Sequence, residues 1–126
     1  MMLLALACAL AQAASPAAPA PARANDVFAA TFRTGPAWDQ AKAPQDQAHF
    51  AAHSQNLRAL RAEGRLLLGG RYGALGLVVL RAASLDEARS LVERDPSVKA
   101  GTFAVEVEPF HPFMPGCVGE ERPAPK

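Results

Sequence analysis

The sequence has no excess of either charge, few cysteines, no long apolar run beyond its opening residues and no recognisable cofactor motif. Of 13 Lys and Arg and 12 Asp and Glu, only Arg23 lies in the first 24 positions, so the remainder is formally neutral. That balance excludes a binder that grips nucleic acid through its phosphates, which needs a basic surplus. Cys8 and Cys117 are the two cysteines. Removal of the N-terminal segment leaves Cys117 without a partner, so no internal disulfide is expected, and with no basic neighbour nearby it reads as an inert thiol. After residue 24 no stretch approaches the roughly 20 apolar residues of a membrane span. Gly69-Gly70 is not a phosphate loop, because no helix and no lysine follow it. No cofactor is therefore expected, and redox chemistry finds no support.

What is present amounts to one domain. The chain has 126 residues, 50% of them apolar and 20% charged, with the 9 glycines and 11 prolines gathered at the ends and turns. Residues 1–14 are apolar except for Gln12 and end in Ala11-Gln12-Ala13, a small-residue cleavage pattern; residues 15–24 are a Pro/Ala spacer. Segment 1–24 thus reads as a signal peptide and spacer, and the protein as secreted or periplasmic. The run has no Lys or Arg before Leu3. An Ala-rich helix, or a lipoprotein acceptor at Cys8, are the alternatives. Residues 111–126 form a Pro-rich C-terminal tail.

Between these ends the hydrophobic period switches in an ordered way. Residues 27–33 alternate as a strand, with Phe28, Ala30 and Phe32 on one side. Residues 39–47 are polar and contain Pro44, so they read as a loop. A helix over 48–63 carries Phe50, His53, Leu57 and Leu60 on one face and ends at Gly64. Residues 66–68 predict a short strand, 69–73 a turn and 75–81 a second strand, together a hairpin. Ser84 and Glu87 suit a capping box opening a second helix, which should stop before Pro96. Residues 102–108 alternate as the last strand. The order β, α, β, β, α, β is the split βαβ pattern, predicting an α+β, ferredoxin-like protomer with a four-stranded antiparallel sheet and two helices on one face. The other face needs a cover, and a homodimer joined sheet to sheet is expected.

Two polar residues lie on apolar stripes. His53 is central in the first helix, and Asp95 continues the stripe of the second. Helices on one face of a sheet can bring the two together. A carboxylate on one imidazole nitrogen fixes the tautomer and frees the other nitrogen for proton transfer. The alternative is a buried structural pair that pins the helices. A metal site using His49, His53 and Asp95 is conceivable but lacks a fourth ligand. Arg71 and Tyr72 could meet an anion or simply be solvated, Trp38 could pack or stack, and His111 should be exposed.

The runs His53 to Leu60, Glu63 to Gly70, Ser84 to Ala88 and, above all, Asp95-Pro96-Ser97-Val98-Lys99-Ala100-Gly101, with Arg33 to Trp38, resemble the YCII-related (YciI-like) family of dimeric α+β barrel proteins. The resemblance covers about residues 26–110 and places a YCII-like domain at 25–110. It implies a ferredoxin-like protomer, a dimer, and an active site built on His53 and Asp95. Members are similar in fold to muconolactone isomerase, and a few relatives act on chlorinated hydroquinones. This chain departs from the family pattern at Asn56 and Leu57, at Arg71 after Gly70 and at Ser97 after Asp95-Pro96, which predicts a more polar pocket. The reading is an exported enzyme of isomerase or lyase type. His53 and Asp95 are its catalytic pair, Arg71, Ser97 and Trp38 contact a small organic acid or phenol-like substrate, and no metal takes part. A noncatalytic periplasmic ligand-binding or interaction module is the alternative.

Overall fold

A computed structural model describes residues 26–114 together with Gly116 and Val118. The expected signal peptide and spacer, Cys8, Cys117 and most of the C-terminal tail lie outside the described residues.

The alternating segments become strands β1 (Val27–Thr34), β2 (Leu66–Tyr72), β3 (Leu75–Arg81) and β4 (Phe103–Pro109). They form one sheet in the order β2-β3-β1-β4, every neighbouring pair antiparallel. Two helices, α1 (Phe50–Ala62) and α2 (Leu85–Glu93), provide the α part of an α+β, ferredoxin-like fold. The strand register puts Phe28, Ala30 and Phe32 of β1 on the same face as Val78 and Leu80 of β3 and Val105 and Val107 of β4. Leu60 of α1 and Ala88, Leu91 and Val92 of α2 close over that face. Each Leu, Val or Phe side chain so removed from water contributes about 1.5–3 kcal/mol, and each Ala less, before chain entropy is charged against it. The remaining apolar strand residues, Leu68, Leu75 and Val79 among them, belong to the opposite face.

Local chemistry sets the element ends. Ser84 Oγ accepts the Glu87 N–H at 3.0 Å at the start of α2, while the Glu87 carboxylate accepts the Ala83 N–H and pairs with Arg65 at 2.6 Å. The Ala83 and Arg65 bonds together hold the Glu87 carboxyl below the usual carboxylate range. Pro96 ends α2 but also opens a further four-residue helix, α3 (Pro96–Lys99), which the sequence pattern does not predict.

The hairpin corrects a second expectation. Residues 69–71 are not a turn; β2 continues through Gly69 and Gly70 to Tyr72, paired with Leu75 to Val79, and the turn falls at Gly73, where φ is +58°. A register shift between Leu66 and Leu68 marks a bulge, and the Arg61 guanidinium donates to the Leu67 carbonyl at 2.9 Å there.

Polar side chains order the segment between β1 and α1. Buried Gln47 accepts the Asp39 N–H at 2.9 Å and donates to the Asp39 carbonyl at 2.7 Å and the Lys42 carbonyl at 3.2 Å. Thr102 donates to the Ala48 carbonyl at 3.0 Å and so ties the start of α1 to the entrance of β4. Beyond β1, the Gly35 N–H donates to the Thr102 carbonyl and the Ala37 N–H to the Gly101 carbonyl, both at 2.9 Å. A Cβ on Gly35 would lie 2.1 Å from the Gly101 carbonyl oxygen, a backbone atom that no rotamer change can move. Gly35→Ala is therefore expected to lower stability by roughly 1–3 kcal/mol, read as a lower denaturant midpoint; an unchanged midpoint contradicts this account of the junction.

Candidate active site

Arg94 and Asp95 are the two residues between α2 and α3, and Asp95 is the one immediately before α3. The helix that opens at Pro96 needs an N-cap, and the Asp95 side chain supplies it, with Oδ1 accepting the Ser97 N–H at 2.9 Å. The Ser97 hydroxyl donates to the same oxygen at 2.6 Å. Two further donors arrive from α1, three residues apart on one helical face. His53 Nδ1 lies 2.9 Å from Oδ2, and Asn56 Nδ2 donates to Oδ2, also at 2.9 Å.

The Asp95 side chain has no exposed surface. Burial alone would raise its pKa, but the bonds from His53 and Ser97 and the proximity of the imidazole outweigh it and bring the carboxyl down to about 2. An ionised carboxylate only accepts, so Nδ1 of His53 carries the proton and, in the neutral ring, Nε2 holds the lone pair. The ring is 12% exposed and rests edge-on to Phe32, centroids 5.2 Å apart, and beside Phe103 at 4.9 Å. Among the described residues nothing pairs with Nε2, and no buried side-chain nitrogen or oxygen lacks a partner. Nε2 is accordingly reachable by solvent.

His53 borders a cavity of about 480 Å³ between α1 and the sheet. Phe32, Phe50, Leu57, Phe103 and Trp38 give it apolar walls, and Ser54 and Arg71 add polar groups. This volume falls within the usual range of small-molecule sites.

The YCII-related domain matches residues 36–111. The chain belongs to that family. No curated protein matches it. Among solved structures, this YCII-related chain is similar to 5-chloro-2-hydroxyhydroquinone dehydrochlorinase from Burkholderia phenoliruptrix AC1100, solved in complex with 2,5-dihydroxybenzoquinone. The two share 29% identity at a TM-score of 0.51, over 68% of this chain and 93% of the dehydrochlorinase chain.

The residues singled out from the sequence are placed differently from one another. His53 and Asp95, 42 positions apart, are hydrogen-bonded. Trp38 and Arg71 border the cavity, Trp38 with its ring 5.5 Å from that of Phe103 and Arg71 from strand β2, not from a turn. Ser97 does not reach the cavity: it is fully buried beneath the histidine and holds Asp95, which corrects its expected contact with substrate. Tyr72 and His111 are exposed. His49 is the N-cap residue of α1, with φ +64°, and the described residues hold no cluster of three His, Cys, Asp or Glu suited to a metal. Asn56 and Ser54 were missed as site residues. The spacing of Asn56, three residues after His53, was the signal for the first; for Ser54 there was none.

Folding lowers the Asp95 pKa from an ordinary 3.8 to about 2. The resulting stabilisation is complete above about pH 4 and vanishes as pH falls through 2, and it amounts to roughly 2 kcal/mol. Between pH 6 and pH 2 the wild type should lose about that much more unfolding free energy than Asp95→Asn; parallel pH profiles from denaturant titrations would refute the assignment.

Proposed function

We propose that this chain is a small-molecule enzyme in which His53 moves a proton on a compact organic acid or phenol-like substrate during an isomerisation or elimination. The observation that carries this reading is a single imidazole on the wall of a cavity, with one nitrogen bonded to a buried, ionised carboxylate and the other reachable by solvent. Nε2 takes the substrate proton. The imidazolium that results keeps its Nδ1–H bond to Asp95, whose negative charge stabilises it. In an isomerisation the proton returns at another atom of the substrate. In an elimination the electron pair of the broken C–H or O–H bond shifts into the new double bond, and the leaving group departs with its own bonding pair. Asn56 and Ser97 position Asp95 and do not touch the substrate. Likeness to a dehydrochlorinase of a hydroquinone-type compound supports the elimination variant and gives a first substrate to try.

The same reading includes a homodimer. The face of the sheet opposite α1 and α2 carries Leu68 and Leu75, both partly exposed, with Tyr72 at its edge half exposed, and a second copy would cover it. Leu68→Glu is expected to shift the protein to monomer in sedimentation velocity; a wild type that is already monomeric at micromolar concentration rejects this part. The reading also includes export, which rests on the apolar run 1–14, the Ala11-Gln12-Ala13 pattern and the Pro/Ala spacer after it.

The catalytic test is chloride release from 5-chloro-2-hydroxyhydroquinone, with a panel of small unsaturated acids beside it. His53→Ala should lower kcat by at least about 100-fold with an unchanged circular dichroism spectrum. Binding without turnover by the wild type would mean a noncatalytic binding module, and full activity in His53→Ala would remove the histidine from the chemistry.

A further inference from the structure

The cavity wall holds a charge that proton transfer at His53 leaves unused. Arg71 pairs across the hairpin with Gly76, and Gly76 pairs with Phe32, so all three belong to the face of the sheet that α1 covers. Two glycines open the hollow there. Gly69 and Gly76 each border it, and neither presents a side chain where Val78 and Phe32 beside them do. A Cβ on Gly76 would come within 3.4 Å of Phe32, and one on Gly69 would meet nothing nearer than 3.9 Å. The space thus comes from residue choice at strand positions, and Arg71 is the side chain that borders it from β2.

The charge balance of the cavity is one-sided. Its two full charges are both arginines, and no Asp or Glu borders it. Arg33 is paired with Glu106. The Arg71 side chain, which is exposed to solvent, has neither an ion pair nor a hydrogen bond with another described residue. Asp95 lies sealed behind His53 with its oxygens already taken by four donors. One uncompensated guanidinium against apolar, aromatic walls suits a ligand with one negative charge and a flat apolar body. Its planar fork matches a carboxylate through two parallel N–H···O bonds. A phosphate dianion would bring a second charge, and the other arginine that borders the cavity, Arg33, is already paired with Glu106.

Resting on the reading of this cavity as a substrate site, we propose that it selects planar aromatic or unsaturated monocarboxylic acids, with Arg71 holding the carboxylate while His53 faces the body of the molecule. The volume of about 480 Å³ accommodates a two-ring acid. Arg71 is thereby the residue that decides acid against neutral ligand.

Titration calorimetry on the full chain with 2-naphthoate and its uncharged isostere 2-naphthamide tests this. The wild type should bind the acid at least about tenfold more tightly than the amide. Arg71→Gln should bring the two within about twofold by weakening only the acid, and Arg71→Lys should lie between. Equal binding of acid and amide by the wild type overturns the carboxylate assignment and leaves the cavity as a ligand site. Arg71→Gln weakening both ligands alike would make Arg71 a structural residue and also overturns it. Binding of neither ligand removes the reading of the cavity as a ligand site and this inference with it. His53→Ala should keep the acid preference, which separates recognition by Arg71 from proton transfer by His53.

Discussion

A carboxylate without contact with water governs the organisation of this molecule. Taking an ion out of water costs several kcal/mol unless donors replace the lost solvation. Asp95 meets that cost with four: the Ser97 amide, the Ser97 hydroxyl, His53 and Asn56. Two come from the turn of chain that the aspartate itself caps, and two from a helix some forty residues earlier. The set is complete only when α1 lies against the junction of α2 and α3. The same four bonds that make the charge tolerable therefore fix the position of the helix, the tautomer of the imidazole and the direction in which its second nitrogen points.

The cavity depends on that placement and on two features elsewhere. Thr102 and Gln47 anchor the start of α1 and the segment before it, so that Phe50 and His53 stand over the sheet at a fixed height. Beneath them, glycines at positions 69 and 76 remove side chains that would fill the gap. Aromatic rings on three sides of the imidazole exclude much of the solvent from it, which strengthens electrostatic effects on the proton it carries. The core itself, Phe28, Ala30, Leu80 and Val92 among others, lies to one side of this opening. Packing and site are thus arranged along the same sheet face, with large aliphatic residues where the helices rest directly and aromatic, glycine and polar residues where they do not.

The differences between sequence expectation and structure have physical causes. Gly69-Gly70-Arg71-Tyr72-Gly73 has the composition of a turn, yet β2 runs through most of it because β3 supplies a complete set of partners and an edge strand tolerates glycine. Pro96 reads correctly as the end of α2, but proline is also favoured in the first turn of a helix, and Asp95 supplies the cap that lets α3 begin there. Ser97 has the chemistry of a substrate contact; only its depth in the fold turns it toward Asp95. Asn56 reads in the sequence only as a departure from the family pattern until the position of Asp95 gives it an acceptor.

Element order and type were legible in the sequence because they depend on periods of two and of 3.6 residues and on caps and breakers, all of which act within a few residues. The family resemblance rested likewise on contiguous runs such as Asp95 to Gly101. The same local rules marked His53 and Asp95 as polar residues on apolar stripes, without setting the distance between them. The 2.9 Å contact, the recruitment of Asn56 and Ser97, the hydrogen bonds that keep the buried Asp95 ionised and the cavity that His53 and Arg71 border were decided by tertiary structure. Each depends on the angle and height at which α1 crosses the sheet, and that is settled by the summed packing of residues far apart in the chain.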